Sequence, residues 1–348
     1  MTTYEVAVLP GDGIGPEIMA PTLAAMTAVA QKFGFALRWA EYDWGSDRYR
    51  RTGAMMPVDA LEQLERHDAL LFGAVGVPDI PDVVTLWGLL IPIRRGFRQY
   101  INLRPVRYID TVNSPLAQPG GIDIVVVREN VEGEYSQVGG RAGIGADEYA
   151  IQEACFTRKG VARVARYAAQ LATRRSGNLV SATKSNGIVF TMPFWDEVVA
   201  EVVAGFDNLR FRPVLIDALA AQLVRAPQDF DVIVASNLFG DILSDLTGAL
   251  VGSLGLAASG NLNPERSYPS MFEPVHGSAP DIAGRGVANP MAQIYAGAML
   301  LDHLGQVEAA AALTGAVDAV LRAGVHTPDL GGSATTADVS KAVLAQLA

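Results

Sequence analysis

Residues Tyr4–Glu17 read YEVAVLPGDGIGPE, and this stretch decides the fold. The apolar run YEVAVLP reads as a buried strand, and PEIMAPTLAAMTAVAQKFG reads as a helix that Gly34 closes. Between them lie Gly11, Gly13 and Gly15 in a GxGxG spacing. The dinucleotide fingerprint of a Rossmann unit needs GxGxxG, which occurs neither here nor elsewhere in the chain. GDGIGPE therefore reads as a tight strand-to-helix turn. Pro16 suits the start of a helix, where its missing N–H is not needed. GxxxxGK[ST] and HExxH are also absent.

Working outward, short β-branched runs alternate with helical patterns. ALRWAEYD, DALLFGAV, IDIVVVREN, GNLVSATK, RFRPVLID and FDVIVASN read as further strands. The alternation predicts an α/β fold with a mostly parallel sheet. The 348 residues suggest about two domains, yet no linker or repeat marks a boundary. A net charge of −10 argues against nucleic acid, which calls for clustered Lys and Arg. No run is apolar enough for a membrane span. The opening residues lack the pattern of a signal peptide, so the expected location is cytoplasmic. The single cysteine, Cys155, is expected to be a small buried residue.

Against this acidic background, Arg94, Arg95, Arg98, Arg104 and Arg107 crowd into IPIRRGFRQYINLRPVR. Arginine forks suit carboxylate or phosphate, although a solvated basic face would produce the same cluster. Arg128 ends an apolar strand, where α/β proteins bind ligands. Tyr135 lies among Glu129, Glu132 and Glu134, and Lys184 follows a strand. In SNLFGDILSD, residues 236–245, Asp241 and Asp245 fall four apart on one helical face. Gly240 precedes Asp241, which places it in the first helical turn, where the helix dipole favours an anion. That explains Asp241 but not Asp245, because like charges at this spacing repel. A hard cation would relieve the repulsion. Oxygen ligands without Cys or His suit Mg²⁺ or Mn²⁺, and Asp217 offers a third carboxylate at a strand end. The late segment FEPVHGSAPDIAGRGVANP could wrap a cofactor or form an ordinary loop. Asp281 within it could accept from ribose hydroxyls, the device that favours NAD.

Jointly, LPGDGIGPE, NLRP, VVVREN, EGEY, TKSN, SNLFGDILSD, FEPVHGSAPDIAG and TPDLGG resemble the β-decarboxylating dehydrogenase family across nearly the whole chain. The resemblance implies the isopropylmalate dehydrogenase-like two-domain fold, not Rossmann. Residues 1–100 plus 251–348 would form a discontinuous cofactor-binding domain. Residues 101–250 would form the substrate, metal and dimerisation domain. It implies a homodimer with shared active sites and no nucleic-acid or membrane partner. Arg94, Arg104 and Arg128 would hold the carboxylates of a 2-hydroxy dicarboxylate. Tyr135 would be the general acid. Lys184, from the partner subunit, would help remove the hydroxyl proton. Asp217 of the partner, with Asp241 and Asp245, would hold Mg²⁺ or Mn²⁺, with K⁺ left open as a further requirement. Ile14, His276, Gly277, Ser278, Ala279, Asp281 and Asn289 would hold NAD.

Within the family, TLWGLLIPIRR carries Trp87 where the isopropylmalate branch has Glu. YDWGSDRYRRTGAMMP and NLNPERSYPSMFEPVHGSAPD look like the tartrate and D-malate branch. The expected reaction is NAD-dependent oxidative decarboxylation of D-malate to pyruvate, with or alongside tartrate oxidation. Leu90 and Ile91 keep 3-isopropylmalate as the alternative, since they could accept an apolar substituent. Arg98 stands where the tartrate and D-malate branch commonly carries an acidic residue, and either alters substrate preference or faces solvent. A non-catalytic metabolite-binding subunit is the alternative of another class. The presence of Tyr135, Lys184, Asp217, Asp241 and Asp245 argues against it.

Overall fold

A computed structural model describes residues 1–348. Its strands are β1 (Thr3–Gly11), β2 (Ala36–Glu41), β3 (Ala69–Ala74), β4 (Ile101–Arg107), β5 (Asp123–Glu129), β6 (Gly139–Ala142), β7 (Tyr149–Gln152), β8 (Asn178–Thr183), β9 (Arg210–Leu215), β10 (Val232–Ala235), β11 (Ala258–Leu262) and β12 (Ser270–Pro274). All but β6 and β7 join one sheet in the order β2-β1-β3-β12-β11-β4-β5-β10-β8-β9. Pairing is parallel from β2 to β12 and again from β5 to β9. The β12–β11, β11–β4 and β4–β5 pairs are antiparallel. Two parallel blocks of opposite direction thus meet at a seam made by β11 and β4.

The apolar runs follow from burial on both faces. β3 and β10 are buried at every position, so they read as continuous apolar stretches rather than alternating ones. Helices Gly15–Phe33, Met291–His303, Val307–Arg322 and Thr336–Leu347 pack together beside the first block, and Arg158–Arg174 and Thr191–Val203 beside the second. One apolar cluster runs from Val6 to Leu347 and includes Val126 and Ile233, so the blocks share a core across the seam. No helix is long and apolar enough to cross a membrane.

The glycine turn is a close-packing device. Gly11 and Gly13 have φ of 71° and 59°, and a Cβ on Gly13 would lie 2.0 Å from the Ser278 carbonyl oxygen. Ile14 donates its N–H to that same carbonyl at 2.8 Å. The turn is thereby seated on the HGSAPD loop. Pro16 lies in the first turn of the following helix, and Gly34 closes it with φ of 77°.

Two expectations change. Cys155 is exposed rather than buried. It follows the β6–β7 hairpin, which leaves the sheet with every strand residue exposed, so no core reaches it. Asp241 is in the second turn, not the first. Its helix runs Asn237–Leu250, with Ser236 as the cap accepting from the Phe239 N–H. The helix N-terminus is thus occupied by the hydroxyl, and the helix dipole does not explain Asp241.

Candidate active site

A cleft of about 190 Å³ opens at the seam, and Arg94, Arg104, Arg128, Tyr135 and Asp241 line it. β4 and β5 pair with Arg104 opposite Val126 and Asn102 opposite Arg128, which sets the two arginines diagonally across neighbouring strands. The helix Asn237–Leu250 lies on top. It can sit there because residue 240 is glycine: a Cβ would come within 2.6 Å of the Arg128 side chain.

Leu86, Leu90 and Ile91 form an apolar wall. Leu86–Leu90 is a π-helical turn, in which the Ile91 N–H reaches back to the Leu86 carbonyl. Pro92 follows, has no N–H to continue the α ladder and crowds the carbonyl four residues back. The widened turn is the local answer to that proline.

Asp241 is the hub of the polar wall. Arg104 donates to its Oδ1 at 3.1 Å, Arg128 donates to the same oxygen, and the Tyr135 hydroxyl donates to Oδ2 at 3.0 Å. Arg104 also donates to Asn102 at 2.6 Å and Ser244 at 2.6 Å. Arg128 forks onto Asn237 Oδ1 at 3.1 and 2.7 Å. Arg94 donates to Glu273 at 2.6 Å. Asp245 lies 3.5 Å from Arg104 and remains half exposed. Sequence reasoning missed Asn237, Ser244 and Glu273 as supports. The first two lie inside SNLFGDILSD, whose density of polar residues was the available signal.

The electrostatics follow from this geometry. Burial pushes the Asp241 carboxyl up, but Arg128, Arg104 and the Tyr135 hydroxyl outweigh it and hold the group below its usual range. Asp245 goes the other way: burial and the neighbouring Asp241 charge raise it against the pull of Arg104. Burial and the Asp241 charge raise the Tyr135 hydroxyl, so it keeps its proton at neutral pH. Arg94, Arg104 and Arg128 face Asp241, Asp245 and Glu273, so these three charges are offset before any ligand arrives, while Arg95 in the same lining has no carboxylate partner. A dianion would upset that balance and a divalent cation would restore it. The all-oxygen donor set at Asp241 and Asp245 fits such a cation.

The chain does not bring together every residue singled out in the sequence. Lys184 and Asp217 lie outside the cleft lining and pair with each other at 2.6 Å. No three His, Cys, Asp or Glu side chains converge as a metal cage within the chain. On the cofactor side, Ile14, Ser278 and Ala279 are gathered around the glycine turn. His276 and Gly277 also line the cleft. His276 Nε2 is buried without a partner, and a Cβ on Gly277 would meet open space. An unsatisfied ring nitrogen beside an uncrowded backbone fits a polar cofactor. Asp281 is exposed. Asn289 is buried and donates to Asp329 at 3.1 Å. Arg98 is outside the cleft and exposed, with its guanidinium 5.8 Å from the Tyr268 ring centre.

Glu129, one step from Arg128, is fully buried. Its Oε2 accepts from the Val131 and Glu132 N–H groups at 3.0 and 2.7 Å, while Oε1 has no partner. Arg163 is 3.8 Å away. Burial first, then the Glu132 charge, push its carboxyl up to about 7, against the two N–H groups and Arg163. A carboxyl raised on folding contributes stability below its usual titration near 4.5 and loses it as pH rises through about 7. Glu129→Gln keeps the neutral form. The variant is expected to be more stable than the parent at pH 8, by on the order of 2–3 kcal/mol, with the gap narrowing toward pH 5. Denaturant titrations at both pH values test this. A gap independent of pH would refute it.

The profile of the isocitrate/isopropylmalate dehydrogenase family matches residues 5–343, and the chain belongs to that family. Within it the chain groups with enzymes named for tartrate and D-malate. A probable tartrate dehydrogenase/decarboxylase of Agrobacterium vitis is 49% identical over 348 residues, covering 99% of this chain and 97% of its own. The decarboxylating D-malate dehydrogenase of Escherichia coli K12 is 51% identical over 354 residues, covering 99% and 98%. The crystal structure of isocitrate dehydrogenase from Methylococcus capsulatus matches with a TM-score of 0.90 at 32% identity, covering 99% of each chain.

Proposed function

We propose that the protein oxidises and decarboxylates D-malate to pyruvate and CO₂, with NAD⁺ as hydride acceptor and Mg²⁺ or Mn²⁺ as metal, and that tartrate is its second substrate. The observation that carries this reading is that Arg104, Arg128 and Tyr135 meet at Asp241 in a small cleft that Arg94 also lines. The relatives named for these two substrates supply the choice of acid.

Arg104 and Arg128 orient the substrate carboxylates, exchanging the Asp241 oxygen for a substrate oxygen. Arg94 adds a third fork. Asp241, Asp245 and Asp217 of a second copy would hold the divalent cation, whose chemistry there would be Lewis-acid polarisation of the substrate oxygen, and the residues around the glycine turn would hold NAD⁺, whose chemistry would be hydride acceptance. Lys184 of that second copy takes the hydroxyl proton. Tyr135 holds its proton at the phenol oxygen and delivers it to carbon once CO₂ has left.

A second copy enters because Lys184 and Asp217 stand outside the cleft that Arg104, Arg128 and Tyr135 line in their own chain. The exposed apolar residues Ile144, Tyr149 and Ile151 of the β6–β7 hairpin segment are consistent with a homodimer. We also propose that residues 1–100 plus 251–348 form the cofactor domain and 101–250 the substrate domain. The sheet divides at β11 and β4 into five strands on each side. A cytoplasmic location accords with this chemistry.

The apolar wall of Leu86, Leu90 and Ile91 favours 3-isopropylmalate as the second reading. NADH formation with D-malate, tartrates, 3-isopropylmalate and isocitrate, each with and without Mn²⁺, separates the two. D-malate with Mn²⁺ is expected to give the highest kcat/KM. Dominant 3-isopropylmalate turnover would overturn the assignment.

A further inference from the structure

Arg95 is the cleft arginine without a carboxylate. Arg94, Arg104 and Arg128 face Glu273 and Asp241. Arg95 instead donates from Nη2 to the Tyr135 main-chain carbonyl at 2.8 Å and from Nη1 to Gln137 Oε1 at 3.2 Å. Its guanidinium lies over the Trp87 indole, 4.9 Å from the ring centre. Two donors and a stacked plane fix the fork in three directions, a geometry that lysine cannot reproduce.

The other end of the tyrosine is held differently. Its hydroxyl donates to Asp241, and Arg128 lies 5.5 Å from its ring centre. The preceding Glu134 accepts from the Ser236 hydroxyl at 2.7 Å and the Leu238 N–H at 3.1 Å. All those contacts come from the β5 side of the seam. Arg95 comes from the helix Ile91–Gly96, across the cleft.

We propose that Arg95 is a positioning residue for Tyr135, a clamp that places the phenol for proton delivery only when the Ile91–Gly96 helix lies against the Tyr135 loop. This rests on the reading of Tyr135 as the general acid. Trp87 acquires a role here too: it is absent from the cleft lining and serves as the platform for the arginine.

The test compares Arg95→Met, Arg95→Lys, Tyr135→Phe and the double variant Arg95→Met/Tyr135→Phe, all as full-length enzyme with D-malate, NAD⁺ and Mn²⁺. A misplaced acid costs on the order of 10–100-fold in kcat. Arg95→Met is expected to lose that much with KM for D-malate within about twofold of the parent. The first-turnover NADH burst should be retained, because hydride transfer precedes protonation. Arg95→Lys keeps one donor and should recover part of the loss. The double variant should be no slower than Tyr135→Phe alone, since the clamp acts through that tyrosine. A raised KM at unchanged kcat, or additive losses in the double variant, would show that Arg95 acts on the substrate directly and overturn the proposal. If Tyr135→Phe itself keeps full turnover, the general-acid reading fails instead. Arg95→Lys keeps the test decisive should the methionine variant fold poorly.

Discussion

Tyr135→Phe is expected to lower kcat on D-malate by about 10²–10⁴-fold, the usual contribution of a positioned general acid. The phenol is the one group in the cleft that both holds a proton at neutral pH and lies beside the arginines that would orient the substrate. Burial and the Asp241 charge keep it protonated, and its hydroxyl sits 3.0 Å from Asp241. Phenylalanine preserves the ring, its contact with Arg128 and the main-chain bond to Arg95, and removes the hydroxyl alone, with its proton and its hydrogen bond to Asp241. The loss should fall on kcat, with KM little changed, because the proton is needed after substrate is bound. Steady-state NADH formation together with a thermal melt is the measurement. Parent-like turnover in a folded variant would remove Tyr135 from the mechanism.

The second large effect divides between two neighbouring aspartates. Asp241→Asn leaves Arg104 and Arg128 buried with no carboxylate between them; their side chains are only 8% and 3% exposed. Breaking a buried charge pair from one side costs on the order of 3–5 kcal/mol. This variant is therefore expected to melt lower and to lose activity at any metal concentration. Asp245 is different. Its side chain is 57% exposed and meets Arg104 only at 3.5 Å, so Asp245→Asn should leave the melt unchanged. It replaces an anionic carboxylate ligand by a neutral amide oxygen and relieves the like-charge spacing. Activity should then need roughly 10–100-fold more Mn²⁺ for half-maximal rate, a loss of the size seen when metal sites are weakened. A Mn²⁺ titration of each folded variant decides. Metal dependence unchanged in Asp245→Asn, or a parent enzyme indifferent to a chelator, would remove the cation from this face.

Much of the site was legible because its chemistry is written in residue type and spacing. Asp241 and Asp245 advertise one another through a repulsion that helical periodicity makes visible. Arg104 and Arg128 stand out as charges in strands that are otherwise apolar. The strands themselves were readable from burial on both faces, which removes alternation and leaves runs such as VVV. What was not legible depends on contacts distant in sequence. Nothing local tells that Glu273 will meet Arg94, or that Arg95 will reach a carbonyl forty positions later. The exposure of Cys155 was misread for the same reason. Small apolar residues are buried on average, but a hairpin that departs from the sheet carries its neighbours away from the core.

The amino-acid order alone determined the alternating α/β architecture, the non-Rossmann glycine turn and the pool of arginines, carboxylates and tyrosine, because periodicity, turn chemistry and charge are local properties. Tertiary structure decided which of them act together. The opposed strand blocks bring β4 beside β5, glycine at 240 lets a helix settle on Arg128, and Asp241 becomes the shared partner of two arginines and Tyr135. It also kept Lys184 and Asp217 out of their own chain's cleft. Distances of a few ångströms between residues a hundred positions apart are set by packing, and packing is a property of the whole chain.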